Sequence, residues 1–529
     1  MRLALIAVVA SLALVAVPAE ARTVSYAIVI GNNAPPVDTA GEQLSPLRYA
    51  DDDAVRYFQL LSRIGQARLL AVLDRATQQR YVGLAAVAEP PTLRNLRQIV
   101  ASYAVAMAAD KQRGDAPVLY IAFSGHGARA VSGEPFLALL DGALTEHVLY
   151  DEILAALPAT YSHLLIDACH AGGVVGIRGD FFDKQVDGQS RPITSDEIAS
   201  VTGTRRIAQF PNVGVIVATS LGEEAHEWSQ IEAGVFSHEL ISALLGPGDV
   251  NADGNIEYTE VQAFIAAANR NIKDPKAIPH VIARPPSANH NAPVIALSMV
   301  SGGGALTGAI DKLGRFHIEL DNGQRYLDAH LASGSRINIV MPPGSNAYVR
   351  TENHEARIPA GARLSVEQLQ LVNRSVASRG SIDSSYRAAL FTTEFGKDYY
   401  RGYVDSIGAV GVRFAEPVAV RAVTDGAPRR RDREPAIIAL SVAGLSAVTS
   451  VTTAVLALRA KRDYEDTDLQ RPAHAAKQRF ERYRMFSITS GAVALGTGAL
   501  AWWLWPSSST RVAPAVSSDG ATVTVELSW

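Results

Sequence analysis

Short apolar runs alternate with stretches of helical spacing through the first half of the chain. Apolar runs of about four to eight residues between helices are typical of parallel strands that are buried on both faces. We expect strands at Tyr26–Gly31, Arg68–Leu73, Val118–Phe123, His163–Ile166 and Val213–Ala218, and helices at Asp51–Ile64 and Thr92–Ala109. The pattern predicts an α/β fold with a mostly parallel sheet and helices on both faces, in which Thr92 caps the second helix.

A different pattern begins near residue 293. The segments Arg315–Leu320 and Arg336–Val340 alternate or run apolar between Gly, Asn and Pro turns. Alternation with a period of two is the pattern of strands rather than helices. We therefore expect a small β-rich domain over residues 293–425.

Two long uncharged runs follow near the C-terminus. Pro435–Leu458 carries no charge over 24 residues and Met485–Trp505 none over 21. Both lengths suit a helix that crosses a bilayer, which needs about 20 residues. Residues 459–484 hold eight Lys or Arg and residues 506–529 only one, so the positive-inside bias places the loop in the cytoplasm and the tail outside. We expect a two-helix transmembrane hairpin that anchors the chain in the membrane. Buried core helices are the alternative.

The N-terminus has the pattern of a secretory signal over residues 1–21. Arg2 precedes an apolar run, Leu3–Val17, which is followed by the small-x-small site Ala19-Glu20-Ala21. The alternative is an uncleaved N-terminal anchor. In either case the large domain is expected to be exported and to lie on the extracytoplasmic side of the membrane.

Composition narrows the possible functions. A chain of 529 residues is expected to form two or three domains. The formal net charge of −4 gives no reason to expect a nucleic-acid partner. The single cysteine, Cys169, can form no internal disulfide. Its thiol is therefore either an inert core group or a reactive one, and its neighbours decide which.

Cys169 and His126 each follow a predicted buried strand. The cysteine lies in Leu165–Gly173, and the histidine lies 43 residues earlier, in Phe123–Gly127. If the two strands are neighbours, the two side chains meet at the carboxyl edge of the sheet, where active sites of open α/β sheets form. A nearby imidazole makes a thiol nucleophilic by taking its proton. The backbone N–H groups of Gly127 and Cys169 are candidate donors to the developing oxyanion.

The paired motifs Ser-Gly-His-Gly and Asp-Ala-Cys-His-Ala-Gly resemble those of caspase-like peptidases, in particular metacaspases and their bacterial relatives. The resemblance covers residues 24–285. It implies a caspase-type fold with Cys169 as nucleophile, His126 as general base, a protein or peptide substrate, and no organic cofactor. The alternatives are a buried core thiol beside a turn histidine, or a pseudo-enzyme that retains only the fold.

The resemblance also implies cleavage after Arg or Lys. Metacaspases form an acidic pocket from an Asp two residues before the nucleophile, a Ser two residues before the histidine, and an Asp in an early helix. Here these are Asp167, Ser124 and Asp53, and a carboxylate pair suits a guanidinium or ammonium group. Asp53 is alternatively a helix N-terminal acid that the macrodipole favours. Arg48 is out of register with the pocket arginines of caspases that cleave after Asp, and Ala50 stands where some members carry a second cysteine.

The polar segment 174–211 lies where caspase-type enzymes join their large and small subunits. Loops of this length in a compact domain are usually functional or mobile. We expect self-cleavage in this segment, after Arg205 or Arg206.

Residues 249–260 match the calcium loop of an EF-hand. Oxygen ligands occupy positions one, three and five, a glycine position six, a backbone carbonyl position seven and a glutamate position twelve. The predicted Ca²⁺ ligands are Asp249, Asn251, Asp253, Asn255 and Glu260. Helical segments Phe236–Leu245 and Thr259–Asn271 flank the loop, as the motif requires. A solvated acidic turn is the alternative.

Three functions follow from these features. The first is a membrane-anchored cysteine endopeptidase with a preference for Arg or Lys. The second is an inert calcium-binding adhesion or scaffold protein whose β-rich domain binds a partner. The third retains the thiol chemistry but transfers the acyl group to an acceptor other than water.

Overall fold

The computed structural model describes most of the first 414 residues. It describes residues 21–36, 44–169, 171–175, 206–219, 227–273, 277–373 and 389–414, and the backbone of 511–517 and 520–526. Residues 1–20 of the predicted signal, the predicted transmembrane helices 435–458 and 485–505 with their loop 459–484, and most of segment 174–211 lie outside these residues. Within the described part, every helix is too short or too polar to cross a membrane.

The chain divides into two compact units, Met1–Glu416 and Pro417–Trp529. In the first unit, the strands before residue 300 are β1 (Thr23–Asn32), β2 (Gly65–Ala71), β3 (Ala88–Glu89), β4 (Ala116–Gly125), β5 (Gly127–Arg129), β6 (Pro135–Ala138), β7 (Ala143–Thr145), β8 (Tyr161–Asp167), β9 (Val213–Thr219), β10 (Glu227–Trp228), β11 (Ala233–Gly234), β12 (Asn255–Ile256), β13 (His280–Arg284) and β14 (Ile295–Ala296).

Seven of these strands form the main sheet, in the order β13-β9-β8-β4-β1-β2-β3. Neighbouring strands are parallel, except that β13 runs antiparallel to β9. Each of the five predicted strands overlaps one strand of this sheet. Smaller sheets are formed by β5-β6-β7, β10-β11 and β12-β14. The mostly parallel sheet predicted from the apolar runs is therefore confirmed.

The helices of this unit are α1 (Ala50–Leu61), α2 (Arg75–Arg80), α3 (Leu93–Gln112), α4 (Ala171–Val174), α5 (Val235–Leu244), α6 (Tyr258–Asn269) and α7 (Lys397–Ile407). Single 3₁₀ turns occur at Leu84–Ala86, Arg206–Gln209, Leu297–Met299 and Val366–Gln368, and a short π-helix spans Val148–Leu154. Thr92 caps α3 as predicted, because its side chain accepts a hydrogen bond from the N–H of Asn95 at 3.1 Å.

Both faces of the sheet are buried, as β1 illustrates. Successive side chains of a strand point to opposite faces. Ala27 and Val29 belong to the core that α1, α5 and α6 cover. Tyr26, Ile28 and Ile30 belong to the core that α3 covers. The near-continuous apolar sequence of β1 therefore reflects burial from two sides.

A second group of strands follows, which we call the β-rich segment, residues 305–373. It contains β15 (Ala305–Ala309), β16 (Arg315–Leu320), β17 (Arg325–His330), β18 (Arg336–Val340), β19 (Ala347–Arg350), β20 (His354–Ile358), β21 (Arg363–Ser365) and β22 (Val372–Asn373). They form two sheets, β18-β15-β21 and β17-β16-β19-β20-β22. The two strands predicted here match β16 and β18.

The β-rich segment shares its core with the main sheet instead of standing apart. Phe316 and Leu327 of the segment lie in the same buried cluster as Leu240 of α5 and Phe264 of α6. The segment and the sheet accordingly belong to one compact unit. In the second unit, the described residues form an antiparallel hairpin of β23 (Arg511–Ser517) and β24 (Gly520–Glu526).

Candidate active site

The carboxyl ends of β4 and β8 bring the two motif residues together. The strands are parallel neighbours, and Ser124 of β4 is in register with Asp167 of β8. His126 and Cys169 each lie two residues beyond that pair. Both therefore leave the sheet at the same edge, as the sequence predicted for neighbouring strands.

Gly127 shows how closely the two chain segments approach. A Cβ atom at this position would lie 1.6 Å from the carbonyl oxygen of Cys169. Any side chain at residue 127 would therefore separate the backbone that follows His126 from the backbone of Cys169. The glycine after the histidine allows the histidine and cysteine loops to touch.

Both groups are largely shielded from water. His126 is 7% exposed and Cys169 is 8% exposed. Burial lowers the pKa of His126, although a backbone hydrogen bond with Ser45 acts in the opposite direction. The buried Nε2 of His126 has no hydrogen-bond partner among the described residues. At neutral pH this imidazole is uncharged, which is the form that can accept a proton from a thiol.

Asp53 is directed from α1 toward this edge of the sheet. Its carboxylate accepts a hydrogen bond from the hydroxyl of Ser124 at 2.9 Å. It also accepts from the N–H of Gly234, at 3.2 and 3.1 Å to its two oxygens. Asp53 is 1% exposed and lies in the first turn of α1.

Asp167 approaches the same place from the end of β8. Its Oδ2 accepts hydrogen bonds from the N–H of Ser237 at 3.1 Å and from the hydroxyl of Ser237 at 2.8 Å. A Cβ atom at Gly234 would lie 2.7 Å from Oδ2 of Asp167 and 2.8 Å from Oδ2 of Asp53. The two carboxylates therefore converge at Gly234, where any side chain would collide with both of them.

Burial makes this pair of carboxylates costly to ionise. Desolvation and then the charge of Asp167 raise the pKa of Asp53 well above its usual range, against the opposing charge of Arg56. Desolvation raises the pKa of Asp167 to about 6. Among the described residues, neither carboxylate forms an ion pair with a basic side chain. Within the described residues, the site is a buried acidic pocket in which Arg56 offsets part of the cost of ionising Asp53 but forms no ion pair with it.

Comparison of the amino-acid sequence with known protein families identifies the family of this fold. A family model of the caspase domain matches residues 24–288, slightly more than half of the 529 residues. This chain belongs to the caspase-domain family. Membership indicates a cysteine peptidase that acts on protein substrates. No curated protein and no solved structure matches the chain significantly.

Sequence reasoning missed several residues that shape the pocket of this caspase-domain chain. Gly234 and Ser237, at the start of α5, supply four of the hydrogen bonds to the carboxylates. Oε1 of Glu227 accepts from the N–H groups of Arg48 and Tyr49, at 2.8 Å each, directly before α1. None of these residues lies in a local motif, because their partners are far away in sequence.

The predicted EF-hand loop lies between α5 and α6 of the caspase domain. Asp249 accepts hydrogen bonds from the N–H groups of Asp253 and Gly254, at 3.1 and 2.9 Å. Asn251 also accepts from Asp253, at 3.0 Å, and the N–H of Asn255 donates to Asp253 at 2.8 Å. The side chains of Asp249, Asn251 and Asp253 thus hold the loop in a tight turn by accepting hydrogen bonds from its backbone N–H groups.

Glu260, the twelfth residue of the loop, is fully buried at the start of α6. Its carboxylate accepts from the N–H groups of Val250 and Glu257, at 3.0 Å each. In the part of the chain that the structure describes, no three His, Cys, Asp or Glu side chains are grouped closely enough to hold a metal ion. Part of the reason for the missing cluster is that both carboxylate oxygens of Glu260 accept hydrogen bonds from backbone N–H groups.

Proposed function

We propose that this caspase-domain chain is a cysteine endopeptidase that cleaves after Arg or Lys. The supporting observation is the acidic pocket, in which Asp53 and Asp167 converge at Gly234 and are bound by hydroxyl and N–H groups but, among the described residues, by no ion-paired basic side chain. A guanidinium or ammonium group that reached these two carboxylates would supply a positive charge and donate charge-assisted hydrogen bonds. A cationic side chain before the scissile bond therefore suits the pocket.

In this mechanism His126 takes the proton of the Cys169 thiol, and the thiolate attacks the scissile carbonyl carbon. The backbone N–H groups of Gly127 and Cys169 donate to the oxyanion that forms. His126 then gives its proton to the leaving amine, and the C–N bond breaks to leave a thioester on Cys169. Water, deprotonated by His126, hydrolyses the thioester and restores the thiol.

The proposal is tested with peptides that carry Arg, Lys, Asp or Ala before a fluorogenic leaving group. We expect the full chain to turn over the Arg and Lys peptides and the Cys169→Ala variant to be at least about a thousandfold slower. Cys169→Ser is the matched control, because it replaces the thiol with a hydroxyl of similar size that is a far weaker nucleophile. Turnover of the Asp peptide alone would keep the nucleophile and overturn the acidic pocket.

The two alternative functions are outcomes of the same experiment. A folded, calcium-loaded chain that cleaves no peptide favours the inert scaffold. Transfer to an added amine instead of water, detected by mass spectrometry of the products, favours acyl transfer.

We also propose that residues 249–260 bind Ca²⁺ through Asp249, Asn251, Asp253, Asn255 and Glu260. Burial raises the pKa of Asp249 to about 6, and burial with the neighbouring Glu257 raises that of Glu260. The causes of these shifts include other carboxylates but no basic side chain. Oε2 of Glu257 is buried without a hydrogen-bond partner in the described part. A divalent cation would supply the missing positive charge once Glu260 turned toward it.

Calcium binding is tested by thermal unfolding of the full chain in EDTA, in millimolar Mg²⁺ and in millimolar Ca²⁺. An extracellular loop of this kind is expected to bind with Kd of about 10⁻⁴–10⁻³ M, so Ca²⁺ should raise Tm in a concentration-dependent way. Asp249→Asn and Asp253→Asn should each abolish the shift. The same Tm in all three solutions would favour the solvated acidic turn.

We further propose that the chain is exported and anchored by its C-terminal helices, with the peptidase on the extracytoplasmic side. The support is the charge pattern of the sequence, eight basic residues between two uncharged runs. Protease added to intact cells or spheroplasts should digest the caspase domain and spare residues 459–484. Recovery of the chain in the soluble cytoplasmic fraction would contradict this topology.

Self-cleavage after Arg205 or Arg206 remains part of the proposal. Arg206 forms an ion pair with Asp151, which favours cleavage after Arg205, a residue outside the described part. Active protein that migrates as one intact chain would contradict it.

A further inference from the structure

Arg56 is a buried arginine beside the acidic pocket that pairs with neither nearby aspartate. It follows Asp53 by one turn of α1 and is only 4% exposed. A buried cation gains most by direct hydrogen bonding to a carboxylate. Yet in the described part of the chain no ion pair joins Arg56 to Asp52 or Asp53, while Asp52 pairs with Arg80. Other groups must therefore hold the guanidinium in place.

Two acceptors on neighbouring elements hold it. Nη2 of Arg56 donates to the carbonyl of Ile231 at 2.8 Å. Nη1 lies 3.3 Å from Nδ1 of His238. Because arginine only donates hydrogen bonds, Nδ1 accepts, and the ring proton of His238 sits on Nε2. His238 lies on α5 directly after Ser237, which binds Asp167 of the pocket.

Asp328 of the β-rich segment fixes this form of His238. Nε2 of His238 donates to Oδ2 of Asp328 at 2.8 Å. Arg325 donates to both oxygens of the same carboxylate, at 2.7 and 2.6 Å, and Ser242 of α5 accepts from the N–H of Asp328 at 3.1 Å. Asp328 is 3% exposed. A continuous buried hydrogen-bonded chain thus runs from β17 through α5 to α1.

We propose that Asp328 is a positioning residue for the specificity pocket, because through His238 it holds Arg56 away from Asp53. The carboxylate of Asp53 is then left for a cationic substrate side chain. This inference rests on the proposed preference for Arg or Lys. It assigns to the β-rich segment a part in substrate selection by the caspase domain.

The physical basis is a competition between two cations for one carboxylate. In a buried site an unpaired charge is attracted strongly to its nearest partner. If His238 no longer accepted from Arg56, the flexible guanidinium would turn toward Asp53 one helical turn away. It would neutralise Asp53 and block the approach of another cation to the pocket. Substrate binding would then have to displace Arg56, and only substrates with a basic side chain would lose an advantage.

The experiment compares kcat/KM for two peptides that differ in one residue before the scissile bond, arginine or its neutral isostere citrulline. Asp328→Asn and His238→Phe are introduced into the full chain and into an Arg56→Met background. Asp328→Asn removes the charge, whereas His238→Phe removes the acceptor of Arg56 directly and decides the matter if the first variant does not fold. Calorimetric titration with agmatine, which carries the arginine head group, measures the pocket without turnover.

We expect each substitution to lower the arginine-to-citrulline ratio at least tenfold and to weaken agmatine binding equally. In the Arg56→Met background, the same substitutions should change both quantities less than twofold. Equal losses for both peptides, losses that persist without Arg56, or no change in the ratio would overturn the inference. If the unsubstituted chain cleaves neither peptide, the proposed peptidase fails, and agmatine binding alone decides whether Asp328 positions Arg56. No agmatine binding by the unsubstituted chain would also overturn the inference.

Discussion

Two buried carboxylate sites meet on α5 and differ in their counter-ions. At the pocket, Asp53 and Asp167 are bound by hydroxyl and N–H groups but by no basic side chain in the described residues. At the junction with the β-rich segment, Asp328 is bound by Arg325 and His238. The pKa values move in opposite directions, raised at the pocket and held well below the usual range at Asp328.

The two sites thus differ in charge compensation. Among the described residues the pocket carboxylates have no ion-paired cation, whereas Asp328 is paired with Arg325. Burial alone would raise the pKa of Asp328 too, and the charge of Arg325 reverses that effect. A buried carboxylate with its own arginine is a structural connection. A buried carboxylate pair without one stores an unfavourable energy that a ligand's positive charge can relieve.

The largest expected effect is on stability, and it should have opposite signs at the two sites. Asp328→Asn leaves Arg325 without its carboxylate and should cost about 3–5 kcal/mol at pH 7.5. Asp167→Asn removes a carboxylate that is ionised at a cost, so the chain should become no less stable. Guanidinium unfolding midpoints of the two variants, measured in parallel, check this. Similar losses at both sites would break the comparison.

The raised pKa of Asp167 also predicts how the stability difference between Asp167→Asn and the unsubstituted chain changes with pH. The folded pKa of Asp167 is about 6, above its ordinary value of 3.8, so ionisation destabilises the folded chain increasingly between these values. Any gain from Asp167→Asn should therefore be present at pH 7.5 and disappear below about pH 4. The loss from Asp328→Asn should persist to pH 5, because Asp328 stays ionised there.

An intermediate effect is expected when a methyl group is placed against both pocket carboxylates. Gly234→Ala places a methyl group 2.7 and 2.8 Å from the two carboxylate oxygens. Gly234 has φ −62° and ψ 135°, which alanine adopts readily, so the effect comes from space and not from backbone strain. The kcat/KM for the arginine peptide should fall about thirtyfold, roughly 2 kcal/mol.

Gly402→Ala is the matched control for that variant, since a Cβ at Gly402 meets nothing within 4 Å. It should leave the kinetics unchanged. Normal cleavage by Gly234→Ala would show that the substrate side chain does not enter between Asp53 and Asp167.

The sequence predicted the parts of the site that lie at strand ends. The runs that became β4 and β8 are apolar because both faces are buried, and His126 and Cys169 follow them directly. Ser124 and Asp167 were found through the same motifs. The register that pairs them could not be read from either strand alone, because it depends on packing between segments about forty residues apart.

The rest of the pocket carries no local signal. Gly234 and Ser237 meet carboxylates 181 and 70 residues away, and a glycine and a serine at a helix start are common in any sequence. The helix α7 was also missed, although Tyr400, Val404 and Ile407 form its buried stripe. Gly402 and Gly408 have low helix propensity, and the surrounding pattern indicated strands, so the short apolar stripe did not predict a helix.

The smallest expected effect is on the pH dependence of substrate choice. Burial raises the pKa of Asp167 to about 6, and kcat/KM reports ionisation of the free enzyme. As the pH falls from 7 to 5, Asp167 gains a proton and the arginine-to-citrulline ratio should fall about tenfold. Taking the ratio cancels the titration of His126 and Cys169, which both peptides share. In Asp167→Asn the ratio should be low and constant over this range. A ratio that stayed high at pH 5 in the unsubstituted chain would mean that another positive charge already stabilises ionised Asp167. The pocket would then resemble Asp328, a buried carboxylate with its own cation.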